Sequence, residues 1–210
     1  MQSSKIAVIA ATLLLAVFVG SQLQLFHLKG GASSGAQGEL SNQNAGVSTC
    51  TADDQVKITV LANILQNYTN AHDAMKTAFR YHNETSDPEL WTAMTIVESK
   101  GRSKAVSERG AQGKLQVMPF WKKQPGFEFY SRKYSHLNDS LNFRAAHKIF
   151  RRLLAQQKGD KWLAVERYCG VGPAAREYVA KVRNLYERIK WATDQAVLSQ
   201  RQRTEDSAGA

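Results

Sequence analysis

An α-dominated fold is what the sequence predicts, from three observations. Apolar residues recur at three- and four-residue spacing between Val56 and Ile189, and alternating apolar-polar runs are nearly absent. The third is a start signal, Ser86-Asp87-Pro88-Glu89, which offers a capping side chain, proline at the first helical position and a Glu placed to close a capping box. A chain of 210 residues with polar ends leaves enough for one domain with a core.

The elements follow in order. Met1 to Lys5 ends in a cation, and Ile6 to Gly20 is an uncharged run rich in Ile, Val, Leu and Ala. A cleaved signal peptide needs a small-x-small site close behind such a run, where this chain has Gln22-Leu23-Gln24-Leu25-Phe26. Extended to Leu28, the run approaches the roughly 20 residues that cross a bilayer. Residues 1–29 are therefore expected to form a single uncleaved signal-anchor helix, with Lys5 in the cytoplasm and the rest exported. Cleavage after Ala36 is the competing reading. Residues 30–52, dominated by Gly, Ala, Ser, Gln and Asn, read as a flexible linker, whose twenty or so residues would span on the order of 25 Å.

Residues 53–195 hold the expected helical domain. Val56, Val60, Ile64 and Asn67 mark one face of a first helix, and Ala71 to Tyr81 suggests a second. A third runs from Pro88 to Glu98, with Gly101 as a left-handed cap. Leu141 to Gln157 and Ala174 to Trp191 are two more, the last with Tyr178, Val182, Leu185 and Ile189 on one side. Residues 196–210, polar and rich in small side chains, are expected to be a disordered tail.

Charge narrows the class without choosing it. The net charge is +10, and Lys5 and Lys29 against Glu39 leave +9 of it on residues 51–210. A basic domain of this kind suits nucleic acid, anionic lipid or an anionic wall polymer, and the export segment argues against nucleic acid. Arg144, Lys148 and Arg151 lie opposite Phe143, Ala146, Phe150 and Leu153, which favours a solvated helix face over a dedicated binding stripe. His27, His72, His82, His136 and His147 show no metal-ligand spacing, and no phosphate-binding glycine loop is present. Neither a metal nor a cofactor is expected.

Glu98 is the candidate for chemistry. It ends an apolar helical stretch (Leu90, Trp91, Ala93, Met94, Ile96, Val97) just ahead of a glycine-punctuated loop. Withdrawal from water raises a carboxyl pKa towards the range where it can give and recover a proton near neutrality, although Lys100 and Arg102 pull the other way. Glu98-Ser99, about ten residues of loop, and then Gly110-Ala111-Gln112-Gly113-Lys114-Leu115-Gln116-Val117-Met118-Pro119 resembles the signature of the soluble-lytic-transglycosylase family, a goose-lysozyme-like group that cleaves peptidoglycan. Asn138-Asp139-Ser140-Leu141-Asn142-Phe143 is similar to that family's entry into a later helix, and Arg167-Tyr168-Cys169-Gly170-Val171-Gly172-Pro173 with Tyr178-Val179 to its last block. The resemblance spans roughly Asp73 to Trp191.

What it implies is an all-α, lysozyme-like domain that cleaves the β-1,4 bond between N-acetylmuramic acid and N-acetylglucosamine. In that scheme Glu98 acts first as acid and then as base, and the product is a 1,6-anhydro sugar. A hydrolytic muramidase and a non-catalytic wall-binding or assembly module remain as alternatives. By position, Ser99, Gln116, Gly113 and Tyr178 become candidate substrate-binding residues, and Tyr168 matches a tyrosine whose hydroxyl bonds the catalytic carboxylate. Lys114 stands where the family has an apolar Leu, where it would either aid binding of an anionic muropeptide or depress the Glu98 pKa. Cys169 replaces the usual Asn, which with Cys50 leaves open one disulfide or two free thiols. The expected partners are peptidoglycan strands and, through the anchor, the membrane, in the setting of phage entry, conjugation, secretion or wall turnover. The domain would then lie in the periplasm or outside the cell, or on a virion.

Overall fold

The computed structural model describes residues 50–131 and 137–209, so the expected anchor and residues 30–49 of the linker lie outside the described residues. Among the described residues the elements are α1 (Ala52–Gln66), α2 (Ala71–Glu84), α3 (Pro88–Ser99), α4 (Asp139–Gln156), α5 (Lys161–Cys169) and α6 (Pro173–Ala208). Two 3-10 turns, Pro119–Lys123 and Glu128–Tyr130, come between α3 and α4. No strand forms there, only antiparallel bridges pairing Gln112 with Val106 and with Val117. None of the described helices is long and apolar enough to cross a membrane.

Short polar side chains start most of these helices by accepting otherwise orphaned amide N–H groups. Thr51 and Asp54 make a reciprocal capping box on α1. Asn70, Asn138 and Asp160 cap α2, α4 and α5. At α3 the cap is Asp87, whose carboxylate accepts from the Leu90 amide, with Pro88 in the first turn. Glu89 does not close the expected box. With Asp87 rather than Ser86 as the cap, it falls one position short, and its Oε1 accepts a 3.0 Å bond from the Thr193 hydroxyl of α6.

The central element is α3, in which every residue from Leu90 to Ile96 is buried. Around it Trp91 meets Phe143 and Phe150 edge-on at 5.3 and 5.4 Å, Tyr81 packs on Phe143 at 5.0 Å, and the Tyr81 hydroxyl pairs with Thr95 at 2.6 Å. Aromatic pairs in these geometries add about 0.5–1.5 kcal/mol each beyond their buried area. This packing fixes where α3 ends, and so where Glu98 stands.

The structure departs from the sequence reading in three further places. The buried face of α1 is Ile58, Leu61, Ala62 and Leu65, whereas Val56, Val60 and Ile64 are only half-buried. Packing of α1 against both α2 and α6 shifts the core band by one or two positions along the helix. The short helix α5 carries no strong apolar period and was not foreseen. Residues 196–208 are helical rather than disordered, because α6 continues to Ala208. Val197 is buried in that extension, and Arg201 pairs with Asp53 of α1.

Truncation after Gln195 is expected to lower the unfolding free energy by about 2 kcal/mol, roughly the burial of one Val side chain, in a urea titration.

Candidate active site

Helix α3 ends in a turn that exposes its last carboxyl. Lys100 takes the left-handed conformation at φ 53°, its amide donates to the Ile96 carbonyl, and the Gly101 amide donates to Thr95. The Lys100 bond is the closure of an αL C-cap, and with the Gly101 bond it stops the helix directly after Ser99. The left-handed cap is therefore Lys100, one residue before the expected Gly101, which also has positive φ.

Glu98 is half-buried at this end, open on one side and crowded on the others. Its Oε1 accepts a 2.7 Å hydrogen bond from the hydroxyl of Tyr178, in the second turn of α6. Burial pushes the Glu98 pKa from 4.5 up to about 7, against the downward pull of the Tyr178 bond. Desolvation wins over the hydrogen bond, so the group is poised between its two protonation states near neutrality. Lys100 and Arg102 do not figure among the causes of the shift.

Tyr168, Tyr178 and Cys169 all gather close enough to feel that carboxylate. Burial raises each of their pKa values and the Glu98 charge raises them further, while Arg109 draws Cys169 back down. Both phenols therefore stay protonated donors at neutral pH. The contact expected of Tyr168 is made by Tyr178: Tyr168 donates to the Leu115 carbonyl at 2.8 Å, and Tyr178 donates to the carboxylate. Tyr168 lies on the short α5 and Tyr178 on α6, whose start after Gly172-Pro173 turns Tyr178 towards Glu98. Cys50 and Cys169 are both free thiols.

The loop from Ala105 to Met118 forms the neighbouring wall and is clamped from below. The Ser99 hydroxyl donates to the Lys114 carbonyl at 2.7 Å. Asn142 of α4 accepts from the Leu115 amide at 2.8 Å and donates to the Gln112 carbonyl at 3.0 Å. Gly113 is buried at φ 80°, a conformation that side chains rarely adopt, and its amide donates to Ala105. Gln116, at φ 48°, turns its amide group back onto the Gly113 and Ala105 carbonyls at 2.8 and 3.3 Å.

Like Gln116 and Tyr168, three further candidate binding residues have their contacts in or beneath the loop. Ser99 is buried with its hydroxyl committed to backbone, and Gly113 is buried. Lys114 is buried, and a buried cation needs an anion beside it. Its Nζ lies 2.6 Å from Asp139 and 3.0 Å from the Thr77 hydroxyl, and it does not figure among the causes of the Glu98 shift. Asn142 and Asp139 were the missed supports. Their signal lay in the block Asn138 to Phe143, quoted for its likeness but given no role.

A family model described as the transglycosylase SLT domain matches residues 76–189. The chain belongs to the transglycosylase SLT domain family. Comparison with curated proteins and with solved structures gives no significant match. The matched span holds Glu98, the clamped loop, Asn142, Tyr168 and Tyr178, so every contact described around the carboxylate lies inside the SLT domain. Membership assigns the domain to transglycosylase-like work on peptidoglycan. No group of three or more His, Cys, Asp or Glu side chains that could hold a metal occurs among the described residues.

Two outcomes are expected. The folded chain keeps the Glu98 proton up to about pH 7, while the unfolded chain loses it near 4.5, so folding takes up a proton between those values. Stability contributed this way is full below 4.5, falls as pH rises through that window and levels off above about 7. Glu98→Gln should therefore gain about 3 kcal/mol over wild type at about pH 8 and almost nothing at about pH 4, by urea unfolding. Lys114→Ala should cost about 2–4 kcal/mol, somewhat under the usual figure for orphaning a buried charge because the Asp139 side chain is 24% exposed. Lys114→Leu combined with Asp139→Asn should recover most of that loss by the same measurement.

Proposed function

We propose that the domain is a lytic transglycosylase that cuts the β-1,4 bond between N-acetylmuramic acid and N-acetylglucosamine with Glu98 as the only ionisable catalyst. The observation that carries this reading is a carboxyl held to a pKa of about 7 by burial and bonded to a tyrosine, with no other carboxylate among the described residues figuring among the causes of its shift. Most glycosidases divide acid and nucleophile or base between two carboxyl groups some 5–9 Å apart. A lone carboxyl must do both proton transfers and leave stabilisation of the sugar cation to the substrate.

Protonated Glu98 gives its hydrogen to the glycosidic oxygen as the C1–O bond breaks. The acetamido oxygen of the muramic acid covers the cationic C1. The Glu98 carboxylate then takes the proton from the sugar's C6 hydroxyl, whose oxygen bonds to C1 and releases the acetamido group. The ring closes as a 1,6-anhydro sugar, and Glu98 regains the proton with which it began. Tyr178 steadies the carboxylate between the two steps, and a pKa near the working pH serves both directions. Burial beside Tyr168 supports exclusion of water from the intermediate. The apolar N-terminal run and the linker favour a membrane-tethered domain placed in the periplasm or outside the cell.

Digestion of purified sacculi tests the reading. Wild type should release products one water lighter than the hydrolytic muropeptides by mass spectrometry, and Glu98→Gln should lower release by about a thousandfold or more. Reducing-end products would mark a muramidase, and binding without release a non-catalytic wall module. Since the first step needs the acid form, kcat/KM should decline above about pH 7. Tyr178→Phe removes the bond that favours the carboxylate, which should move that alkaline limb to higher pH.

A further inference from the structure

A groove of ≈ 820 Å³ lies along the outer side of α4, and neither Glu98, Tyr168 nor Tyr178 lines it. At about 100° per residue, Arg144, Lys148 and Arg151 project opposite Asn142, Ala146 and Ile149, which face the core and the catalytic loop. Arg152 extends the same rim, so cations are spread over about 12 Å of helix. None of the four forms an ion pair with a carboxylate among the described residues.

A solvated helix face does not have the support this one has. The Arg144 guanidinium sits over the Phe129 ring, 4.2 Å from its centre, which holds the fork in place and leaves its in-plane N–H groups free. Lys148 donates to the Gly126 carbonyl at 2.7 Å and occupies the space a side chain at 126 would need, a Cβ there falling 2.6 Å from its Nζ. Glu128, the acid in the groove, is folded back to accept from the Gly126 amide at 2.8 Å. It therefore braces the rim and does not neutralise Arg151 or Arg152. His147, packed on Trp91 and Phe143, has its pKa lowered by burial and by Arg151. It does not compete for the anion that the arginines invite.

We propose that this groove is a second docking site for peptidoglycan, taking the carboxylates of the peptide stems while the cleft at Glu98 takes the sugars. Guanidinium forks match planar carboxylates with two parallel bonds. The concave shape admits a short chain and keeps a flat bilayer surface out. Phe129 offers an apolar shoulder for small side chains beside those carboxylates. This rests on peptidoglycan being the polymer handled, and not on the proton transfers assigned to Glu98.

The test uses the full chain carrying Glu98→Gln, so that the polymer survives, in co-sedimentation with purified sacculi at physiological salt. Adding Arg151→Gln and Arg152→Gln should weaken binding about tenfold. A control pair, Lys181→Gln with Arg188→Gln, removes the same charge from exposed positions on α6 and should change binding by about twofold at most. On glycan strands stripped of their stems by an amidase, the groove variant and its parent should bind alike. Thermal melts report that the variants fold, as expected for exposed side chains. Equal losses in groove and control variants would overturn the proposal, as would a groove effect that persists on stripped strands. So would unchanged sacculus binding alongside a groove-dependent loss on vesicles containing anionic phospholipid. Catalysis is not read in any of these arms, so failure here is separable from failure of the transglycosylase assignment.

Discussion

The hydrogen bond from Tyr178 to Glu98 joins the end of α3 to the start of α6, and the surrounding elements are arranged so that it can form. A carboxyl on an open helix end would ionise near 4.5 and have no proton to give at neutral pH. Burying α3 from Leu90 to Ile96 carries Glu98 to the edge of the core, where it loses most of its water without losing access. Desolvation alone would make the group a poor base afterwards. The phenol opposes it, since donating to the carboxylate stabilises the charged form. Their balance leaves the carboxyl near neutrality.

Wall geometry depends on a second set of restraints that never touch the carboxylate. Backbone atoms of residues 112–115 are held by Ser99 from α3, Asn142 from α4 and Tyr168 from α5. Beneath them Lys114 and Asp139 form an ion pair in which one Asp139 oxygen, Oδ1, is buried without a partner. Such a pair gains little over apolar packing, because removing both charges from water costs several kcal/mol each, yet losing one member is costly. What it provides is register: α2, α4 and the loop meet at one point through Thr77, Asp139 and Lys114.

Local signals made much of this legible in the sequence. Capping residues and spacing placed α2, α3 and α4 to within a few residues, and Glu98 was singled out by the likeness of its block to a known family, with the apolar stretch before it and the glycines after it in support. Roles that depend on which side chain points where were not legible. Tyr168 and Tyr178 are both phenols close to Glu98, and sequence spacing does not say which of α5 and α6 brings its phenol to the carboxylate. Lys114 read as a cleft residue because a lysine is normally exposed; its partner Asp139 is 25 positions away in sequence. The α1 face was misjudged for a related reason, since a helix held between two others has a core band that its own period does not define. The helical end of α6 escaped because its contacts are with the opposite end of the domain.

That last helix deserves a mechanical reading. It runs 36 residues, about 54 Å, with Tyr178 near its beginning and Arg201 near its end. Arg201 grips Asp53, two residues after the chain enters the folded domain at Thr51. The first helix of the domain is thus tied to the far end of this rod, and Thr193 and Glu89 fasten its middle to α3. One rod therefore couples the two termini of the folded domain to the carboxyl: its near end carries the phenol on Glu98, and its far end closes on α1.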